Sequence, residues 1–182
     1  MIKKILLALV VVVVLVVGVA VAAIMMAPTD FRVERETTIN KPRSEVYAYA
    51  KMLKNQNDWG PWHKKEPTMH QEFRGTDGEL GFTSYWKGTK EDVGEGEQEI
   101  TRLTPDERID TQIRFKQPFE TAVDGYMVLE PSSPDKTKVK WGVTGSVPRP
   151  LNLFMLVMDF DKEMGKDFEE GLASLKTIVE SR

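Results

Sequence analysis

An unbroken run of 23 residues, Ile5 to Ala27, carries no charged or strongly polar side chain and consists mainly of Val, Leu and Ala, with a single Gly18. At about 1.5 Å per residue a helix of that length reaches roughly 35 Å, enough to cross a hydrocarbon core of about 30 Å with some tilt. A helix packed on a small soluble core keeps a polar face toward water. This run has none, so it reads as a transmembrane helix in contact with lipid over residues 5–27. The chain then divides into an anchor, residues 1–27, and a domain, residues 28–182.

A cleaved secretory signal is the alternative, because Lys3 and Lys4 make a positive start and Ala20-Val21-Ala22 has cleavage-type spacing. Signal apolar regions run about 7–15 residues, whereas this one continues through Ile24-Met25-Met26, and an uncleaved signal anchor is preferred. The two lysines favour a cytoplasmic N-terminus. A single-pass protein follows, with its C-terminal domain exported to the periplasm or the outer face of the cell.

Composition narrows the chemistry of that domain. The absence of cysteine excludes disulfides, thiolate nucleophiles, iron–sulfur clusters and Cys-rich zinc sites. His63 and His70 are the only histidines, and no His-Glu-x-x-His pattern occurs, so no metal or cofactor is expected. Without Lys3 and Lys4, 23 basic residues face 28 acidic ones. A mildly acidic body without a basic cluster suits neither nucleic acid nor polybasic lipid attachment.

Only Pro28, Thr29 and Asp30 separate the apolar run from the first strand-like segment, a span of roughly 10 Å even when extended, which keeps the domain close to the bilayer. Phe31 to Ile39 alternates as a half-buried strand. Pro42 opens a short helix carrying Val46, Tyr49, Ala50 and Leu53, and the stretch Asn55 to Trp62 is rich in turn formers. From Thr68 to Val147 successive segments alternate apolar and polar residues between turns at Gly75-Thr76-Asp77-Gly78, Thr104-Pro105-Asp106 and Pro131-Ser132-Ser133-Pro134-Asp135. Such alternation describes an antiparallel sheet wet on one face and covered on the other. The cover is the segment Leu151 to Glu180, where Phe160, Met164, Phe168, Leu172, Leu175 and Val179 recur at helical spacing. A helix of about 30 residues, bent near Gly165, is expected there, giving an α+β domain.

The order of these elements resembles the START-like, or SRPBCC, superfamily, which includes polyketide cyclases, lipid-transfer domains and birch-pollen-type allergens. The likeness is carried by Ile39-Asn40-Lys41-Pro42-Arg43-Ser44-Glu45-Val46, by Trp59-Gly60-Pro61-Trp62, by Gly94-Glu95-Gly96-Glu97-Gln98-Glu99-Ile100, and by Asp167 to Lys176. It covers residues 31–180. The resemblance implies a helix-grip fold, a curved antiparallel sheet of six or seven strands wrapped around a long C-terminal helix and enclosing a cavity for lipids, sterols, polyketides or other apolar molecules. Some members of the superfamily are enzymes.

Phe82, Trp86, Phe115, Met127 and Trp141 fall on the buried parities, and Phe154 and Met158 lie on the covering helix. Together these seven are the expected ligand-binding residues, since Met and flat aromatic side chains suit an adaptable apolar pocket. Each of them equally suits a plain core. Gly94 and Gly96 share the inward parity and mark a bend or a close ligand approach. Trp59 and Trp62 line an entrance or pin their loop. Arg35, inward by alternation, binds an acidic head group or reaches water from a bulge or an edge position. His63 and His70 read as exposed, Glu95, Glu97 and Glu99 as a solvated stripe, and Asp159 and Asp161 lack the further oxygen ligands a metal needs. Leu151 to Met158 is apolar on nearly every side, which suggests a lid that meets the membrane or a partner. No catalytic residue is assigned. The expected function is a membrane-anchored module that binds an apolar small molecule or lipid. The alternatives are a cyclase- or hydrolase-type enzyme, signalled by a buried titrating carboxylate or Tyr such as Tyr126, and an envelope interaction protein with a filled core.

Overall fold

The computed structural model describes residues 2–90, 92–117 and 120–182. A 25-residue helix, α1 (Ile2–Met26), holds the apolar run and is the one helix among the described residues long and apolar enough to cross a membrane. Seven strands follow among the described residues: β1 (Asp30–Ile39), β2 (His70–Arg74), β3 (Thr83–Lys87), β4 (Glu95–Thr104), β5 (Arg108–Gln117), β6 (Thr121–Ser133) and β7 (Lys136–Ser146). They form one sheet in the order β1-β7-β6-β5-β4-β3-β2, so β1 and β2 are its edges. The pairs from β2 to β7 are antiparallel hairpins between chain neighbours. Between β1 and β2 lie α2 (Arg43–Ala50), a 3-10 turn (Leu53–Asn55), α3 (Gln56–Trp59) and α4 (Pro61–Lys65), and the chain ends in α5 (Phe160–Glu180). This is the expected α+β helix-grip architecture.

The chain forms two compact units. One comprises residues 1–31 and 146–160, and the other residues 32–145 and 161–182. In the larger unit the inward rows are set by register. Trp86, Gly96 and Phe115 lie side by side across β3, β4 and β5, and Thr111, Gly125 and Val143 across β5, β6 and β7. Phe168, Leu172, Leu175 and Val179 of α5 are buried, as their spacing requires of a face that covers a sheet. On the opposite face Glu97 joins Arg114 and Arg74, Glu99 joins Arg114, and Glu95 joins Lys87. The acidic stripe is thus an ion-pair ladder on the polar side.

Three expectations change in detail. The turn-rich stretch 55–62 folds into α3 and α4 because Pro61 sits at the first turn of α4, where its missing N–H is no loss. The turn at 131–135 is tighter, since β6 runs through Pro131 to Ser133 with a register irregularity there. The C-terminal segment is not one helix of about 30 residues. A 3-10 helix spans Leu151–Leu156, the chain breaks, and the 21-residue α5 starts at Phe160, with Asp161 and Glu163 in its first turn where the helix dipole favours acids. Gly165 is not a bend but a seat, because a Cβ there would collide with the Arg35 guanidinium lying across it.

Candidate functional site

The larger unit contains an open cavity of about 140 Å³ between the inward face of the sheet, α3, α4 and α5. Its aromatic wall is made by Trp62, Trp86, Phe115, Trp141 and Phe168, with Met164 beside them. Trp141 is the hub. Its ring centroid lies 4.4 Å from that of Phe168, 4.9 Å from Trp59 and 5.9 Å from Trp62. Gly171 of α5 admits this arrangement, because a Cβ there would stand 2.6 Å from Trp141 Cζ3. Trp86 and Phe115 meet edge to face at 5.9 Å across Gly96, whose Cβ would fall 2.7 Å from Trp86 Cζ2. The space left by this inward glycine is therefore occupied by an indole. Gly94 instead takes a left-handed conformation, φ +63°, in the turn before β4.

Polar groups interrupt the apolar wall. The Asn57 and Gln71 amides donate to each other, at 2.9 and 3.0 Å, and Gln98 Nε2 donates to Thr111 Oγ1 at 3.1 Å. Gln56, Ser84 and His63 also line the space. His63 Nδ1 is buried without a hydrogen-bond partner among the described residues. Helix α4, which carries Trp62 and His63, is held to α5 by Lys65 with Asp167 at 3.0 Å and Lys64 with Glu170 at 3.3 Å. A second strap is Glu66, a buried carboxylate that accepts from Thr89 N at 2.9 Å, Thr89 Oγ1 at 2.7 Å and Lys90 N at 3.2 Å. Those donors, the Thr89 backbone N–H foremost, hold its pKa below the ordinary carboxylate value.

Of the seven expected residues, Trp86, Phe115 and Trp141 come together on the cavity wall. Phe82 is buried in a solid cluster with Leu53 and Ile100. Met127 is buried between the flanking strands, opposite Ile109 and Trp141, and is not among the cavity residues. Phe154 and Met158 belong to the smaller unit and are 56% and 50% exposed there, because the 3-10 turn and the break after it carry them off the helix they were expected to share. Trp59 is fully buried and pins its loop, while Trp62 lines the cavity. His63 is corrected from a surface residue to a wall residue, since α4 turns it inward.

Arg35 lies on the edge strand β1 and meets Asp161 and Glu169 of α5, each at 2.8 Å. Tyr126 is buried, and its hydroxyl is pushed up in pKa by that burial and by Glu34. It sits on the other parity of β6 from Gly125 and Met127, donates to Glu34 Oε2 at 2.7 Å and accepts from Arg32 Nε at 2.9 Å. It is not part of the cavity wall. Among the described residues no group of three or more His, Asp or Glu side chains is placed to hold a metal ion.

Residues 30–180 match the sequence profile of a family described as polyketide cyclase / dehydrase and lipid transport. No curated protein matches the chain. Among solved structures, norcoclaurine synthase from Thalictrum flavum is similar with a TM-score of 0.62 at 11% identity, covering 86% of this chain and 90% of its own. Protein CV1439 from Chromobacterium violaceum gives 0.56 at 16% identity, covering 84% and 98%. The Aha1 dimer from Colwellia psychrerythraea gives 0.56 at 16% identity, covering 82% and 96%. At these identities the structural likeness speaks for the fold.

Proposed function

The chain belongs to the polyketide cyclase / dehydrase and lipid-transport family, and on that premise we propose that it is a membrane-tethered binding protein whose cavity receives an apolar molecule. The observation that carries this reading is the cavity itself, walled by five aromatic rings and Met164. Four of its polar neighbours are spent on one another through the Asn57–Gln71 and Gln98–Thr111 bonds, while Gln56, His63, Ser84 and Asp92 also line it, so affinity comes from apolar burial against the rings with polar groups at hand to orient the guest. A volume of about 140 Å³ is on the order of what holds one benzene-sized ring, below the roughly 300–1,000 Å³ of pockets that engulf drug-sized ligands. The ligand class is therefore a molecule that inserts one ring or a short hydrocarbon end, the remainder staying outside. An open cavity also argues against the filled-core alternative.

In this reading α1 is an uncleaved signal anchor, with Lys3 and Lys4 on the cytoplasmic side and the family domain exported. The test is native mass spectrometry of the full chain in nanodiscs made from its host membrane, with the co-purified organic extract identified. One apolar adduct per chain, absent from an Ile113→Trp variant that fills the wall from β5, is expected. A bare protein mass that persists after addition of fatty acids and small aromatic compounds would overturn the proposal. One observation favours the enzymatic alternative, a buried His63 Nδ1 beside the cavity that has no hydrogen-bond partner among the described residues. Conversion of the bound molecule by the native chain, lost in His63→Gln, would establish it.

A further inference from the structure

The smaller unit carries a feature that the cavity does not explain. The last four carbonyls of any helix lack partners within it, and in a helix end near lipid such groups are costly to leave bare. At the end of α1 Ala23 O is met by the backbone N–H of Ala27, and Ile24 O and Met25 O are met by side chains from residues 149–152. Asn152 Nδ2 donates to Ile24 O at 2.8 Å and to Ala27 O at 3.1 Å, and Asn152 is fully buried. Arg149 donates to Ile24 O and Met25 O, each at 3.3 Å. Val147 N donates to Thr29 O at 2.7 Å, and Phe31 stacks on Phe160 at 5.2 Å. A segment more than 115 residues away in sequence is thus bonded to the terminus of the membrane-length helix.

That segment is apolar and uncovered. Leu151, Phe154, Leu156, Val157 and Met158 are between 50% and 81% exposed, beside Met25 and Met26 at 61% and 85%. So dense a set of bare hydrophobic side chains marks a contact surface.

We infer that Leu151–Met158 is an interfacial wedge, docked by Asn152 onto the end of α1 and immersed in the outer boundary of the same bilayer that α1 spans. This rests on the reading of α1 as a membrane anchor and adds a second lipid contact from the other end of the chain. The depth argument is geometric. With Lys3 and Lys4 in the cytoplasmic interface, the stretch from Ile5 to Ile24 spans the roughly 30 Å hydrocarbon core at about 1.5 Å per residue, so Ile24 lies at its outer boundary and residues 25–27 enter the interfacial layer. Amphipathic segments lie buried about 5–10 Å into that layer. Side chains bonded to the carbonyls of residues 24, 25 and 27 share its depth. Arg149, with an exposed guanidinium reaching those carbonyls, stands where lipid phosphates lie, as long cationic side chains do at helix ends.

The absence of native cysteine makes the test direct, because each introduced cysteine is unique. Full-length protein bearing Phe154→Cys, Val157→Cys, Val13→Cys or Asp135→Cys is labelled with an environment-sensitive fluorophore and reconstituted in phosphatidylcholine vesicles. Iodide then quenches from water and doxyl-labelled lipid from the bilayer. The labels at 154 and 157 are expected to show several-fold weaker iodide quenching than the label at 135, and strong quenching by lipid doxyl at shallow positions. The Val13 label should respond to deep doxyl only. If Val13 is in lipid while 154 and 157 are quenched by iodide like 135, the wedge is wrong and the anchor stands. Protection of 154 and 157 from both quenchers would mean that protein covers them, which also overturns the wedge. A Val13 label in water would overturn the anchor and the wedge together. Asn152→Ala is expected to raise iodide access at 154 and 157 without moving the Val13 signal. No change there would show that Asn152 does not seat the segment.

Discussion

Two glycines six residues apart in α5 should respond differently to the same substitution. Replacing Gly by Ala inside a helix ordinarily stabilises it by about 0.8–1.0 kcal/mol. At Gly171 the added Cβ would lie 2.6 Å from Trp141 Cζ3 and 3.3 Å from Pro61 Cδ. The indole cannot yield easily, being packed against Trp59 and Phe168 at centroid distances of 4.9 and 4.4 Å. Overpacking of this kind costs about 1–3 kcal/mol. Set against the helix gain, the clash leaves a net destabilisation of about 1 kcal/mol, a fall in Tm of roughly 2–4 °C for a chain of this size. The indole has one direction in which to give, toward the cavity it lines. Gly171→Ala should therefore also weaken ligand binding.

At Gly165 the obstacle is the far end of a flexible side chain on an edge strand. Arg35 can swing to water, giving up pairs with Asp161 and Glu169, whose side chains are 61% and 63% exposed. Such exposed pairs contribute little, so Gly165→Ala should leave stability close to that of the native chain. Urea unfolding of the full chain in nanodiscs, followed by tryptophan fluorescence, measures both. The assay reads the site selectively, since the four tryptophans are Trp59, Trp62, Trp86 and Trp141. A Gly171→Ala variant as stable as the native chain, with unchanged emission, would refute the reasoning about Trp141.

Phe168, 1% exposed and in contact with Trp141 and Trp62, should lose about 3–5 kcal/mol on replacement by Ala, read as a lower urea midpoint. Leu80, 70% exposed, should tolerate Ser within about 0.5 kcal/mol in the same titration. Glu66 has a folded pKa below its unfolded value because Thr89 and Lys90 N–H groups bind the carboxylate. Its stabilisation is complete above the ordinary value of about 4.3 and is lost as pH falls through the lower folded value. The Tm difference between the native chain and Glu66→Gln should hold from pH 7 to 5 and shrink below about pH 4; a constant difference down to pH 3 would contradict the assignment.

The strands were legible because alternation is a local property. Ile109, Thr111, Ile113 and Phe115 share a face by the pleat alone, and the structure keeps that parity throughout β5. What alternation does not encode is which part of the inward face stays empty. Phe82 and Trp86 have the same parity, yet Leu53, delivered by the 3-10 turn before α3, fills the space over Phe82, whereas no described residue fills the space before Trp86. The polar wall is illegible in the pattern for a related reason. Gln98 shares the parity of Gly96 and Ile100, but a polar side chain on an inward parity does not by itself distinguish a cavity wall from a hydrogen-bonded core. His63 lies on a helix of five residues, too short for periodicity to show its direction. The break before α5 had a signal in Asp159 and Asp161, acids of the kind that open helices, set against an apolar run that reads equally well as continuous helix.

Gly96 and Gly171 explain why a cavity exists where the pattern alone calls for a core. Inward rings of the size of tryptophan normally consume the space between a sheet and its covering helix. Here Trp86 is laid against the backbone at Gly96, and Trp141 against α5 at Gly171. Any side chain at either glycine would lift an indole off its seat and into the open volume. The cavity is therefore set by residues without side chains, one on β4 and one on α5, and not by the aromatic residues that line it. Gly96→Ala should then reduce ligand capacity as Gly171→Ala does, with an added loss of stability, because its Cβ also falls 2.7 Å from the Arg114 carbonyl of the neighbouring strand. Retention of full binding by both variants would assign the volume to some other part of the fold.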